Sequence, residues 1–230
     1  MFEIFVIIPA FNEENSIKNV INEIPENLVK EIIVVDNNST DSTAAEVLKT
    51  KATLLKENKK GYGSACLKGI EYLKSHVINI KNTIVVFLDG DYSDYPEQMD
   101  AVVAPIINDH FDMVIGSRAL GNKARGSMTP QQIFGNWLAT KLLKLIYGAV
   151  FTDLGPFRAI RFDALQSLKM IDRDYGWTVE MQLKAAKKKL KFCEVPVNYR
   201  KRIGISKVSG TIRGTIGAGY KILYLIFKYI

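Results

Sequence analysis

The feature that most restricts the fold of this chain is an uncharged run, Thr83-Ile84-Val85-Val86-Phe87-Leu88, that stops at Asp89-Gly90-Asp91. β-Branched and aromatic residues favour strands, and the lack of polar alternation suits a strand covered on both faces, as in parallel sheets. Open parallel sheets bind ligands beyond the carboxyl ends of their strands, so the run would deliver two carboxylates to a binding edge. Oxygen donors there suit a hard divalent cation. Mg2+ or Mn2+ takes one or two protein carboxylates and fills its remaining positions with water and substrate phosphates. The competing reading is an Asx-type turn that closes the strand. Spelling does not decide between them, because 12 aspartates in 230 residues produce roughly one D-x-D by chance. A second match, Asp172-Arg173-Asp174, follows no strand-like run, carries its own arginine and reads as a solvated turn.

The first half alternates strand-like and helix-like segments. Strand patterns at 4–8, 31–35, 52–55, 83–88 and 113–116 are separated by helical patterns at 16–24, 42–49 and 62–74, and a further helix begins near Pro96. Proline is favoured in a first helical turn. This βα alternation predicts a central, mostly parallel sheet with right-handed crossovers, the architecture of nucleotide-binding α/β domains.

Charge divides the chain more sharply than its net value of +7 suggests. Residues 1–117 carry 10 Lys or Arg against 18 Asp or Glu, whereas residues 118–230 carry 21 against 6. An acidic half is compatible with a metal site; a basic half suits a phosphorylated substrate, anionic lipid headgroups or nucleic acid. Nucleic acid is the weakest of these, since no helix-turn-helix, zinc-finger or aromatic RNA-binding signature accompanies the charge. The run at 2–9 includes Glu3 and has no basic flank, and no stretch reaches the about 18 uncharged apolar residues of a spanning helix. Cys66 and Cys193 have no metal-like or redox spacing and read as buried thiols of a reducing compartment.

Three loops follow strand ends in the first half and would face one crevice. They are Pro9-Ala10-Phe11-Asn12-Glu13-Glu14, Asp36-Asn37-Asn38-Ser39-Thr40-Asp41-Ser42 and Asn58-Lys59-Lys60-Gly61-Tyr62-Gly63-Ser64-Ala65. Short polar side chains can bond a base or ribose, and glycines with cations before a helix suit a phosphate. Each loop taken singly also reads as an ordinary turn and helix cap.

The order and spacing of 6–14, 33–41 and Asp89-Gly90-Asp91 resemble a family 2 glycosyltransferase. The resemblance implies a nucleotide-diphosphosugar transferase fold, a Rossmann-like α/β architecture with a mostly parallel sheet and, here, C-terminal amphipathic helices. It implies that Pro9, Phe11, Glu13 and Asp36, with Gly90, contact the nucleotide, that Asp89 meets the nucleotide side of the donor and that Asp91, with Asp89, binds the cation. Gly116-Ser117-Arg118, the stretches 152–159 and 176–181, and the basic stretch 194–207 further resemble dolichyl- and polyprenyl-phosphate mannose and glucose synthases. Position 93 is Ser where the mannose synthases often place Gln, and the basic motif near Gly204 is compact.

On this reading residues 1–117 form a nucleotide-sugar-binding half, 118–208 an acceptor-binding half of the same catalytic domain, and 209–230 an amphipathic segment. A lipid phosphate approaching a diphosphate needs cations to offset like-charge repulsion, and Arg118, Arg125, Arg200, Arg202 and Lys207 are the candidates. Lys187, Lys188 and Lys189 read instead as a solvated surface. Trp137, Leu138, Leu142, Leu145, Ile146 and Ala149, like 216–230, form apolar faces beside lysines. Such faces suit either the protein's own core or a membrane interface.

The expected activity is metal-dependent inverting transfer of a hexose from a UDP- or GDP-linked donor to polyprenyl phosphate, with Asp89, Asp91 and Arg118 in the catalytic centre. The expected location is peripheral, on the cytoplasmic face of a membrane, with or without a separate membrane-protein partner. The alternatives are transfer to a glycan hydroxyl, with Asp153 or Glu180 as base, a nucleotidyltransferase, and a non-enzymatic nucleotide-sugar or membrane-binding module.

Overall fold

The computed structural model describes residues 2–204, 206 and 212–230, without the side chains of 212 and 213. Seven strands run β1 (Glu3–Ala10), β2 (Glu31–Asp36), β3 (Thr53–Lys56), β4 (Thr83–Phe87), β5 (Met113–Ser117), β6 (Arg158–Arg161) and β7 (Phe192–Pro196). Between and after them lie α1 (Ile17–Glu23), α2 (Thr43–Leu48), α3 (Tyr62–His76), α4 (Met99–Asp109), α5 (Pro130–Tyr147), α6 (Phe162–Leu168), α7 (Trp177–Lys187) and α8 (Ile212–Lys228). The sheet order is β3-β2-β1-β4-β6-β5-β7. Every neighbouring pair is parallel except the two made by β6, which runs antiparallel to both β4 and β5.

The apolar runs contribute to two cores. Ile84, Val86 and Leu88 pack into a layer with Ile17 and Ile21 of α1, Val47 of α2 and Ile106 of α4. Val85 and Phe87 point the other way, into a layer with Cys66 of α3, Leu143 of α5, Leu165 of α6, Leu183 of α7 and Leu225 of α8. Both faces of β4 are therefore dry, which is why its sequence shows no alternation. Pro96 opens a short 3-10 turn, Pro96–Gln98, and α4 follows it directly.

The amphipathic faces read from the second half divide between core and surface. Ala139 and Leu143 are fully buried, and Leu142 and Ile146 pack against the core, whereas Trp137 and Leu145 are exposed. In α8, Leu225 and Ile226 are buried, and the Tyr147 hydroxyl donates to the Ile226 carbonyl at 2.6 Å. Ile216, Tyr220, Tyr224 and Phe227 face outward on the same helix. Among the described residues no helix is long and apolar enough to cross a membrane.

Asp172-Arg173-Asp174 is not the solvated turn expected of it. Asp172 is 5% exposed, accepts the amides of Asp174 and Gly176 at 2.9 and 3.0 Å, and pairs with Lys221 of α8 at 2.9 Å. It organises the start of α7 and anchors α8. A β-carbon on Gly176 would lie 2.1 Å from Leu225 Cδ1 and 2.8 Å from Asp172 Oδ2, so a larger residue there would displace side chains that seat α8. Lys187, Lys188 and Lys189 are exposed, as read, and Lys187 reaches the Tyr229 carbonyl.

Candidate active site

The carboxyl ends of β1, β2 and β4 open on a cavity of about 690 Å3. Pro9, Phe11 and Glu13 from the β1 loop line it together with Asp89, Gly90 and Asp91 from the β4 loop. Asp36 does not line it; its neighbour Asn37 does. The Asn37 side chain donates to the carbonyls of Glu57 and Lys59 at 3.0 and 2.8 Å and accepts the Gly61 amide at 2.8 Å. It thereby fixes the third loop, which holds Lys60 over the Phe11 ring, 5.6 Å from its centroid. Gly61 has φ +130, and a β-carbon there would lie 2.0 Å from the Arg173 carbonyl oxygen, which accounts for glycine at this turn.

Asp89 and Asp91 differ in surroundings. Asp89 is half-buried and accepts the Tyr62 hydroxyl at 2.9 Å. Burial, reinforced by the charge of Asp91, pushes its carboxyl up to about 7. Asp91 accepts the Ser93 amide at 2.9 Å and the Ser93 hydroxyl; its other oxygen lies 3.0 Å from Arg202 Nη1. Arg202 also donates to Glu13 at 2.9 Å, so one guanidinium ties the loop after β1 to the loop after β4. Among the described residues no group of three or more His, Cys, Asp or Glu is arranged to hold a metal. Two carboxylates on one cavity fit a cation that keeps most of its shell for water and phosphate oxygens, as Mg2+ or Mn2+ does.

The expected phosphate-binding cations are dispersed. Arg118 is 8% exposed and lines the cavity. Its Nε and Nη2 each donate to Asp153 at 2.7 Å, and its own amide donates to the same carboxylate at 2.8 Å. The fork offered for a phosphate is thus already occupied, and Asp153 is held as its partner. Arg200 lies outside the cavity lining: it pairs with Glu23 at 2.5 Å and stacks between Tyr92 and Tyr95, 3.3 and 4.4 Å from the ring centroids. The reason is local, because a flat cation between two aromatic rings replaces its hydration with contacts. Arg125 is exposed and does not line the cavity, and Lys207 lies outside the described residues. Arg202 is the candidate that meets carboxylates of the cavity lining, Glu13 and Asp91. Glu180 is fully buried away from the cavity lining, paired with Lys184 at 2.7 Å.

Several groups at this site carry no motif of their own. Tyr62 is an apolar-looking position in a glycine-rich loop. Asp94 is 2% exposed with neither carboxylate oxygen hydrogen-bonded; burial, with the charges of Asp89 and Asp91, pushes it well above the usual carboxylate range. The far wall comes from α5, the 154–156 segment and α8, where Gly135, Asn136, Leu154, Ala218 and Gly219 line the cavity. The only signal for Asp94 was its position three residues after Asp91.

Residues 5–169 match Glycosyl transferase family 2. The chain is 31% identical to the UDP-N-acetylglucosamine–dolichyl-phosphate N-acetylglucosaminyltransferase of Methanococcus voltae, over 96% of this chain and 93% of that protein. It is 27% identical to the undecaprenyl-phosphate mannosyltransferase of Micrococcus luteus, over 92% and 89% of the two chains. Glucosyl-3-phosphoglycerate synthase of Mycobacterium tuberculosis, crystallised with Mn2+, UDP and glucosyl-3-phosphoglycerate, shares the fold with a TM-score of 0.77 and 21% identity, over 99% of this chain and 80% of that one. The sheet, its carboxylate-bearing edge and the match over 5–169 agree: the chain belongs to glycosyl transferase family 2 and is a glycosyltransferase.

Proposed function

We propose that the protein transfers a hexose from a nucleotide diphosphate to a polyprenyl phosphate at a membrane surface, with inversion and with Mg2+ or Mn2+. The observation that carries this reading is the two-ended cavity. Carboxylates and Arg202 stand at one side, and α5 and α8 form the other with Gly135 and Gly219 at the wall. The same two helices expose Ile133, Phe134 and Trp137, and Ile216, Tyr220 and Phe227. Aromatic residues beside lysines suit the headgroup boundary of a bilayer, and Lys141 and Lys144 lie exposed on α5. Relatives that align over most of both chains act on dolichyl or undecaprenyl phosphate, by their names.

In this reading Phe11, Glu13 and Asn37 receive the nucleoside, and Asp91 with Asp89 holds the cation, which supplies charge stabilisation at the departing diphosphate. The acceptor is a phosphate monoester, already ionised near neutral pH, so its oxygen attacks the anomeric carbon without a strong base. Arg202 lines the cavity paired with Glu13 and Asp91, and in this reading it exchanges one of those partners for the incoming phosphate, offsetting the repulsion between the two anions. The occupied fork of Arg118 supports this assignment against a hydroxyl acceptor: Asp153, the base candidate for that chemistry, is 1% exposed and bidentately paired.

The test is product analysis with purified protein and radiolabelled UDP- and GDP-hexoses, each offered polyprenyl phosphate, a glycan and phosphoglycerate. Label in a chloroform-soluble, mild-acid-labile lipid that disappears on chelation is the expected result. Transfer only to the glycan or to phosphoglycerate refutes the proposed acceptor.

A further inference from the structure

Arg158 is a cation sealed inside the protein. It is 0% exposed, yet none of the ion pairs among the described residues includes it. Its Nε donates to the Gly155 carbonyl, Nη1 to that of Thr178 and Nη2 to that of Leu154, each at 3.1 Å, and Nη2 also reaches Gly155. All of these acceptors are main-chain carbonyls. A buried charge without a carboxylate is costly, and apolar residues of similar volume commonly replace such groups without loss of stability. What offsets that cost here is the set of main-chain carbonyls the guanidinium holds.

Position gives that grip a role. Arg158 begins β6 and sits in register with Phe87 at the end of β4 and Ile115 in β5. Two of its acceptors belong to the segment 154–156, and the third, Thr178, lies in the first turn of α7; Leu154, Pro156 and Thr178 all line the cavity. Other side chains grip the same segment: Asn136 accepts the Leu154 amide at 2.8 Å, Gln182 donates to the Asp153 carbonyl at 2.8 Å, and Glu194 accepts the amides of Thr152 and Asp153. Asp153 in turn orients Arg118. The segment is thus a braced wall, and the guanidinium joins it to the first turn of α7, as Gln182 joins it to the next turn of the same helix. A planar fork spreads five donors over three nitrogens at fixed spacing, whereas lysine crowds its three donors on one nitrogen and an apolar residue has none.

We propose that Arg158 is a positioning residue for glycosyl transfer: its carbonyl-bound guanidinium locks the 154–156 wall to the first turn of α7 and holds the acceptor side of the cavity in register with the Asp89–Asp91 edge. The charge is present throughout the working range, since burial lowers its pKa only to about 10. The inference rests on the transfer reaction described above but not on which acceptor is used.

The experiment compares the parent with Arg158→Met, which keeps volume, and Arg158→Lys, which keeps charge without the fork. The readouts are Kd for UDP with Mn2+, kcat, acceptor KM and thermal midpoint. Misplacement of a positioned group by about 1 Å can lower turnover about 100-fold, so the expectation is a kcat loss of that order in Arg158→Met with the UDP Kd changed less than about threefold. Arg158→Lys is expected to recover little. In Arg158→Ala, guanidinium ion at non-denaturing concentration is expected to restore part of the lost kcat. A folded Arg158→Met with kcat within about twofold of the parent overturns the proposal. So does failure of both Met and Lys variants to fold, which assigns Arg158 to stability alone. If the parent itself turns over no polyprenyl phosphate, the acceptor assignment fails instead, and the same comparison is read on donor hydrolysis to water.

Discussion

Asp91 serves Ser93 through one oxygen and Arg202 through the other, so its replacement separates charge from architecture. Asp91→Asn keeps the size of the side chain, and removing a group that stabilises the transition state costs about 10²–10³ in kcat; initial rates across a Mn2+ titration are expected to show that loss together with loss of the metal response. Asp94 tests a different property. Its ordinary value of 3.8 holds in the unfolded chain, and the folded value is raised. The folded state therefore binds more protons above the unfolded pKa, and the cost of this carboxyl to stability grows as pH rises through the raised folded value. Asp94→Asn removes that cost, so thermal scans in chelator are expected to show a larger gain over the parent at pH 8 than at pH 5. Equal gains would show that the carboxyl is not held neutral. Asp153→Ala has the opposite sign: it leaves Arg118 buried and unpaired, a loss of about 3–5 kcal/mol by urea denaturation.

At the scale of elements, α8 and α5 decide how the cavity meets its surroundings. A β-carbon at Gly135 or Gly219 would touch nothing within 4 Å, so both positions leave space beside the cavity that larger side chains would fill. Gly219→Leu is expected to raise the KM for a long polyprenyl phosphate several-fold while leaving that for a short-chain analogue near the parent value. Paired substitution of Phe134 and Trp137, whose rings lie 5.9 Å apart, by Ser is expected to weaken sedimentation with anionic vesicles and leave UDP binding unchanged. Unaltered sedimentation would remove this patch from the proposed membrane surface. Elements differ in how legible they were. The first five strands could be read from the chain because each is an apolar run ending at turn residues. Strand β6, only Arg158–Arg161, begins and ends with arginine and offers no such run, so nothing local announces it. The helix faces were legible as amphipathic but not as divided, because periodicity places Leu143 and Trp137 on stripes without saying which stripe a neighbouring helix covers.

Across the whole molecule, the charge split survives as a spatial theme only in part. The acidic half does bring Asp89 and Asp91 to the sheet edge, and the convergence of the neighbouring loops on one cavity was readable from their places after strands. The basic half was expected to focus five cations on an anion, but Arg118, Arg200 and Arg202 are all paired with carboxylates of the protein itself. Formal charge along a sequence counts such groups equally, whereas pairing and burial are properties of the folded contacts. The same limit hid Arg158, whose partners are carbonyls and leave no trace in residue type.

The antiparallel strand has a consequence for how the molecule comes into being. Because β6 lies between β4 and β5, the gap in the middle of the sheet stays open until residue 161 has been made, well after the last residue of β5. A nascent chain ending at 117 would carry the loops after β1 and β2 and both aspartates but leave one edge of β4 and both edges of β5 unpaired, a state prone to association. Residues 1–117 and the chain after them are therefore not modules to be swapped or expressed separately. A 1–117 fragment is expected to aggregate and to bind no UDP, and sites for inserting new sequence are better sought in surface loops than at the boundary between the halves.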